Sequence, residues 1–261
     1  MKLFFSLTSF FIVSSLFAQT ANDSLKVFAD TGHYSTKPAH KIINPVSIAA
    51  GYTAICFLSY RYVDEEVREI VLANQNKIAY NTFKTVGYTG LGKTNIFITA
   101  GTGISALITK NKQLEKATIL LVGSHLINDF ITHQFKVSFQ RHRPNTGDPY
   151  NTFDWREGTK TNESFISNHT SNAFTTATVF ALCFSDKKWV PIVAYSTASL
   201  VGLSRIYQNA HWTSDVLAGA AIGFLSAHAM NGLYNLAGKR FTFLPAVDNG
   251  HYGISVTYSL P

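Results

Sequence analysis

Six apolar segments dominate this chain, at roughly 43–60, 94–109, 117–133, 164–185, 189–204 and 214–237. Each is sixteen residues or longer, too long for an ordinary strand, so the lengths predict helices even where Thr and Val would permit β structure. Their richness in Ala, Gly, Ser and Thr fits helices that approach one another closely. The expected fold is therefore all-α, a six-helix bundle over residues 43–238. Between the first two segments, Val63-Asp64-Glu65-Glu66-Val67-Arg68-Glu69-Ile70-Val71 spaces its apolar residues at three- and four-residue steps. That spacing predicts a short amphipathic helix on the surface.

The two ends of the chain differ from this pattern. Met1-Lys2, the apolar run Leu3–Phe17 and then Ala18-Gln19 match a secretory signal peptide over residues 1–18, so the chain is expected to be exported. Residues 19–42 are polar and read as a linker. At the other end, residues 239–261 form a tail in which Phe241–Leu244 and Ile254–Leu260 alternate apolar and polar around Asp248-Asn249-Gly250. This is a β-hairpin pattern, expected to cap the bundle. Cys56 and Cys183 sit in separate apolar segments and read as small hydrophobes rather than a disulfide pair.

A formal charge of +7 and a pI near 9.3 favour anionic partners. Nucleic acid is not expected, since no stripe of Lys and Arg interleaved with aromatics occurs. The chemistry-bearing residues fall into three clusters at segment ends: Lys136 to Pro144 after the third segment, Phe165 to His169 at the start of the fourth, and Ser204 to Asp215 between the fifth and sixth. With alternating helix directions, all three come to one end of the bundle.

Their residue types suit phosphoryl chemistry. Lys136, Arg143 and Arg205 supply three cations, and the guanidinium fork matches phosphate oxygens. Ser167 and the amides around Asn168 at a helix start can donate to an anion. His211 and Asp215 lie four apart, so the carboxylate is expected to hold one ring nitrogen and leave the other free to attack phosphorus. His169 is then placed to protonate the leaving alkoxide. No metal is needed for that charge balance.

These clusters resemble the three-part signature of the type 2 phosphatidic acid phosphatase and vanadium haloperoxidase superfamily, K-x6-R-P, P-S-G-H and S-R-x5-H-x3-D. Lys136 with Arg143-Pro144 matches the first part, and Ser204, Arg205, His211 and Asp215 match the third. The middle part matches at Ser167 and His169 but has Ile166 and Asn168 where the family has Pro and Gly. The resemblance covers roughly residues 90 to 237. It implies a helical core, a phosphohistidine intermediate on His211, His169 as general acid and no cofactor. If position 168 requires positive φ, Asn tolerates it better than other residues with a side chain.

The resemblance further implies, as substrate, a phosphomonoester or pyrophosphate on a lipid or lipid carrier, in the manner of the bacterial membrane-associated branch. A soluble exported acid phosphatase acting on small esters, or a non-catalytic envelope lipid-binding protein, are the alternatives. Lys110, Lys112, Lys116, Lys187, Lys188, Lys239 and Arg240 gather at the end opposite the clusters. By the positive-inside rule that end faces the cytoplasm and the active end the periplasm of a bacterial envelope, whereas six spans counted from a cleaved signal peptide would place the active end inside. One segment that does not span, or a bundle that only touches the membrane, resolves the conflict with the active end outside.

Of the weaker signals, His125, Asp129 and His133 share one helix face and read as hydrogen-bonded residues rather than a metal site. His228 reads as a core histidine. Asn168-His169-Thr170 and Asn162-Glu163-Ser164 resemble glycosylation sequons, the first discounted because a glycan on Asn168 would block the site, and Asp154, Trp155, Arg156 and Glu157 are expected at the pocket rim.

Overall fold

The structure, a computed structural model, describes residues 45–156, 162–248 and 251–258. The expected signal peptide and linker lie outside them. Eight α-helices occur among the described residues, not six: α1 Pro45–Tyr62, α2 Asp64–Asn74, α3 Lys77–Gly87, α4 Gly92–Thr109, α5 Lys112–Phe139, α6 Asn168–Cys183, α7 Trp189–Tyr207 and α8 Thr213–Arg240. The amphipathic stretch is α2. The unforeseen addition is α3, whose polar sequence lacks a long apolar run; its start is set by Asn76, whose side chain accepts from the Ala79 amide.

Helix α6 lies at the centre, packed on α8, α7 and α5. Its contact with α8 depends on Gly219 and Gly223, one turn apart in a G-x-x-x-G spacing. A Cβ on Gly219 would come 2.8 Å from the Ser167 carbonyl oxygen. The absent side chain is thus what lets the two backbones meet just below the functional end.

The interior is unusually polar. On α5, Ser124, Asn128, Thr132 and Lys136 form the buried stripe, while Asp129 and His133 are exposed. The buried row is therefore displaced from the His125, Asp129, His133 row singled out in the sequence. His125 touches Asn172 and Thr176 at 3.3 and 3.1 Å, and no metal-holding cluster of His, Cys, Asp or Glu occurs among the described residues. His228 is exposed, with its ring 4.3 Å from that of Phe224, and is not a core residue.

Outside, the pattern inverts. Phe97, Leu107 and Phe130 are 76%, 80% and 67% exposed, and Ile192, Val193 and Leu203 continue the apolar belt on α7. Isolated exposed hydrophobes need no explanation, but here they recur on several helices around an interior that is polar. One helical stretch among the described residues, Thr213–Ala237, is long and apolar enough to cross a membrane.

Strands β1 Phe241–Asp248 and β2 His251–Tyr258 pair antiparallel, Phe241 opposite Tyr258. β1 follows α8 without a break and contacts its end. The pair prolongs that helix and does not cap the bundle; the Asn249-Gly250 turn lies outside the described residues. Both cysteines are free.

Candidate active site

Helix α5 ends at Phe139, and Gln140 turns the chain sharply with φ 44° while its amide donates to the Lys136 carbonyl. This reversal carries Arg141, His142 and Arg143 back over the helix end. A second reversal follows α7, where Asn209 takes φ 56° and the Ala210 amide returns to the Arg205 carbonyl at 3.1 Å. Asn is among the residues that tolerate this left-handed conformation. The turn delivers His211 to the mouth of α8.

The short segment Glu163-Ser164 gathers the first and third clusters. Lys136 Nζ donates to the Glu163 carbonyl at 2.5 Å, and Arg143 Nη2 approaches the same oxygen at 3.4 Å. Arg143 Nη1 reaches the Ala210 carbonyl at 3.3 Å, next to His211. The Ser164 carbonyl lies 2.8 Å from His211 Nδ1. A carbonyl can only accept, so Nδ1 carries the proton and Nε2 keeps its lone pair.

This differs from the sequence expectation. Asp215 does not hold the imidazole directly: Oδ2 is 3.8 Å from Nδ1. Its carboxylate instead accepts from Ser164 Oγ at 2.5 Å, the Trp212 amide at 3.0 Å and Arg141 Nη1 at 2.6 Å. Asp215 thus fixes Ser164, whose carbonyl fixes His211. Chain geometry explains the substitution, because at the first turn of α8 the carboxylate points back at the Trp212 amide as a helix cap does.

Ser167 also departs from expectation. It is fully buried, its hydroxyl is 3.0 Å from Thr170 Oγ1, and its amide donates to the Asp215 carbonyl at 3.3 Å. It stands immediately before α6, where its carbonyl accepts from the Ser171 amide at 3.0 Å. Asn168 opens α6 and does not take positive φ, so the Gly-to-Asn difference carries no backbone strain. Asn168 Oδ1 and Arg205 Nε are buried without hydrogen-bond partners among the described residues. Arg205 Nη1 reaches Gln208 at 3.2 Å.

The cations and histidines act on one another electrostatically. Burial pushes His211 down to about 3, helped by Arg143 and Lys136 and opposed by Asp215. His169 falls to about 4 through burial and the positive field of Arg205, Arg143 and Lys136. Lys136 drops to about 8 through burial and the neighbouring Arg143. At neutral pH the site therefore sets two neutral imidazoles among three cations, an arrangement that favours an incoming dianion.

At the rim, Asp154 and Asp148 hold His142 at 3.0 and 2.7 Å, and Asn162 joins Asp154 at 2.8 Å. Trp155 stacks with Phe153, and Arg156 bonds Ser138 at 3.2 Å, while Glu157 lies outside the described residues. Asn162-Glu163-Ser164, seen in the sequence only as a sequon, is structural: Ser164 is fully buried. Sequence reasoning missed Ser164 and Arg141. Arg141 lay within the first cluster, but neither its burial nor its partners leave a local signal.

Residues 117–239 match the family model described as the PAP2 superfamily, and the match spans all three clusters. Over 220 residues the chain is 30% identical to lipid A 1-phosphatase of Porphyromonas gingivalis, covering 78% of this chain and 41% of that protein. It is 29% identical over 140 residues to lipid A 4'-phosphatase of the same organism, covering 50% and 58%. The chain thus spans about half the length of these relatives. Two solved structures share the fold: a transmembrane PAP2-type phosphatidylglycerolphosphate phosphatase from Bacillus subtilis, with TM-score 0.55, 20% identity and coverage of 74% and 96%, and Aquifex aeolicus LpxE, with TM-score 0.51, 22% identity and coverage of 65% and 94%.

Proposed function

We propose that this chain is a lipid phosphatase that removes a phosphate monoester from a lipid A-type glycolipid through a phosphohistidine on His211. The observation that carries this reading is the locked tautomer of His211, whose Nδ1 is committed to the Ser164 carbonyl. Nε2 is then the nucleophile. It forms a bond to phosphorus while the bond to the leaving oxygen breaks, and His169 gives that oxygen a proton. Water, deprotonated by His169, next attacks phosphorus and releases His211 and inorganic phosphate.

Lys136, Arg143 and Arg205, with the opening amides of α6 at Asn168 and His169, hold the equatorial oxygens. A loose phosphoryl transition state asks chiefly for such positioning and charge neutralisation, which these groups supply without a metal. Arg205 Nε, buried without a partner among the described residues, gains one in a bound phosphate oxygen.

The names of the two Porphyromonas gingivalis relatives support lipid A as substrate class. The exposed apolar belt supports a membrane-embedded protein over a soluble phosphatase of small esters. Export, with the active end toward the periplasm, fits the lysines at the opposite end.

The test uses purified protein, lipid A and a small aryl phosphate in the presence of EDTA. Phosphate release from lipid A that survives the chelator and vanishes in His211→Ala is expected. Equal turnover by that variant would refute the mechanism, and preference for the aryl phosphate would favour the soluble-substrate alternative.

A further inference from the structure

Arg141 is almost fully buried, and its guanidinium joins two carboxylates that are themselves buried, Asp215 at 2.6 Å and Asp64 at 2.8 Å. Asp64 comes from the start of α2, a helix the sequence placed on the surface, and stands 77 residues from Arg141. Asp64 also accepts from the Ser214 amide at 2.8 Å and Ser214 Oγ at 2.5 Å, and feels the like charge of Asp215. Arg141 Nη1 also reaches Ser214 Oγ at 2.8 Å, and Nε and Nη2 bond the Tyr150 carbonyl at 3.0 and 2.8 Å. Trp212, directly after the histidine, lies against Arg141 with 5.3 Å from guanidinium carbon to ring centroid.

We propose that Asp64 and Arg141 are positioning residues for the reaction, forming a buried relay through which α2 sets the orientation of Asp215, and so of Ser164 and His211, and supplies the negative charge that favours phosphorylation of His211. The proposal rests on the reading of His211 as nucleophile. Burying an ion pair gives little net stability, so the fold alone does not require one here. Burial raises the Asp64 carboxyl from its ordinary value, while Arg141 and Ser214 pull it down.

The charge count gives the relay its function. Two carboxylates and one guanidinium leave the group one negative charge. As Nε2 bonds to phosphorus, the imidazole ring becomes cationic, and that surplus charge stabilises it. Asparagine at position 64 keeps an oxygen for Arg141 and Ser214 Oγ, turns its amide nitrogen toward the Ser214 amide and removes the surplus charge. The loss falls on the transition state rather than on substrate binding, because Asp64 touches none of the three phosphate-holding cations.

The experiment compares the full chain, Asp64→Asn, Arg141→Lys and His211→Ala in detergent, with lipid A as substrate and metavanadate as transition-state mimic. Asp64→Asn is expected to lower kcat about tenfold or more with KM within about twofold. It should weaken vanadate inhibition in parallel, and the loss of kcat should persist at temperatures well below the variant's thermal midpoint. Arg141→Lys keeps one cation but loses the fork, and is expected to fall below Asp64→Asn in kcat. An unchanged kcat in Asp64→Asn would overturn the relay while leaving the nucleophile intact, provided His211→Ala is inactive. A fall in kcat that merely tracks a lowered midpoint would overturn it too, by making Asp64 structural. Full activity in His211→Ala would instead overturn the underlying phosphohistidine reading.

Discussion

The depressed basicity of His169 makes phosphate binding a proton-coupled event. In the free protein its imidazole sits at about 4, against an ordinary value near 6.5, because of burial and the field of Arg205, Arg143 and Lys136. Near pH 6 only about 1% of molecules carry the proton that the general acid needs. A bound dianion offsets much of that cationic field and offers an oxygen to the imidazolium, which raises the ring's basicity while the effect of burial stays. At that pH binding therefore takes up protons, with one proton per site as the upper bound for this ring. Sulfate is a suitable probe, since it keeps both charges throughout this range. Calorimetric titration near pH 6 in two buffers of different ionisation enthalpy reads the uptake directly. His169→Gln should abolish it. Binding of sulfate without proton uptake, or the same uptake in His169→Gln, would refute the reasoning.

Other consequences are simpler to measure. Lys136 loses its charge at about 8 in the free protein, so kcat/KM should fall as pH rises through that value, and Lys136→Arg should move the decline upward. Gly219→Ala forces a Cβ toward the Ser167 carbonyl and should destabilise the fold by roughly 1–3 kcal/mol, seen as a lowered thermal midpoint. Asp215→Asn removes the partner of a buried guanidinium and should cost roughly 3 kcal/mol in denaturant unfolding. The apolar belt predicts that the protein stays with the membrane pellet after alkaline carbonate washing, and release into the wash would count against lipid embedding.

The part of this architecture legible in the chain was the part encoded locally. Long apolar runs marked α1 and α4 to α8, and cationic or histidine clusters at their ends marked the functional pole. The helix α3 escaped because its residues are mostly polar and exposed. The orientation of α5 was misjudged because a one-residue rotation of a helix moves the buried row by about 100°. There, Ser and Thr serve as interior residues while Val122, Leu126 and Phe130 face outward. That inversion defeats the usual expectation that polar residues face water.

The site shows the same division. Lys136, Arg143, His211 and Asp215 stood out by residue type and spacing. Ser164 did not, because its contribution is largely a backbone carbonyl, which any residue has. Asp64 looked like one of several acids on a surface helix, and only the three-dimensional meeting with Arg141 and Ser214 separates it from Glu65 and Glu66. The assignment of His211 to Asp215 was reasonable from their spacing but omitted Ser164, whose carbonyl lies closer to Nδ1.

The central claim is a covalent bond between His211 and phosphorus. Rapid acid-free quenching of the protein with lipid A radiolabelled at its phosphate, followed by denaturation in alkali, isolates such a bond, which is stable to base and labile to acid. The account predicts label on the peptide containing His211, released by acid, and none on His211→Ala. Turnover without any trapped label under single-turnover conditions, or label retained by His211→Ala, would contradict it.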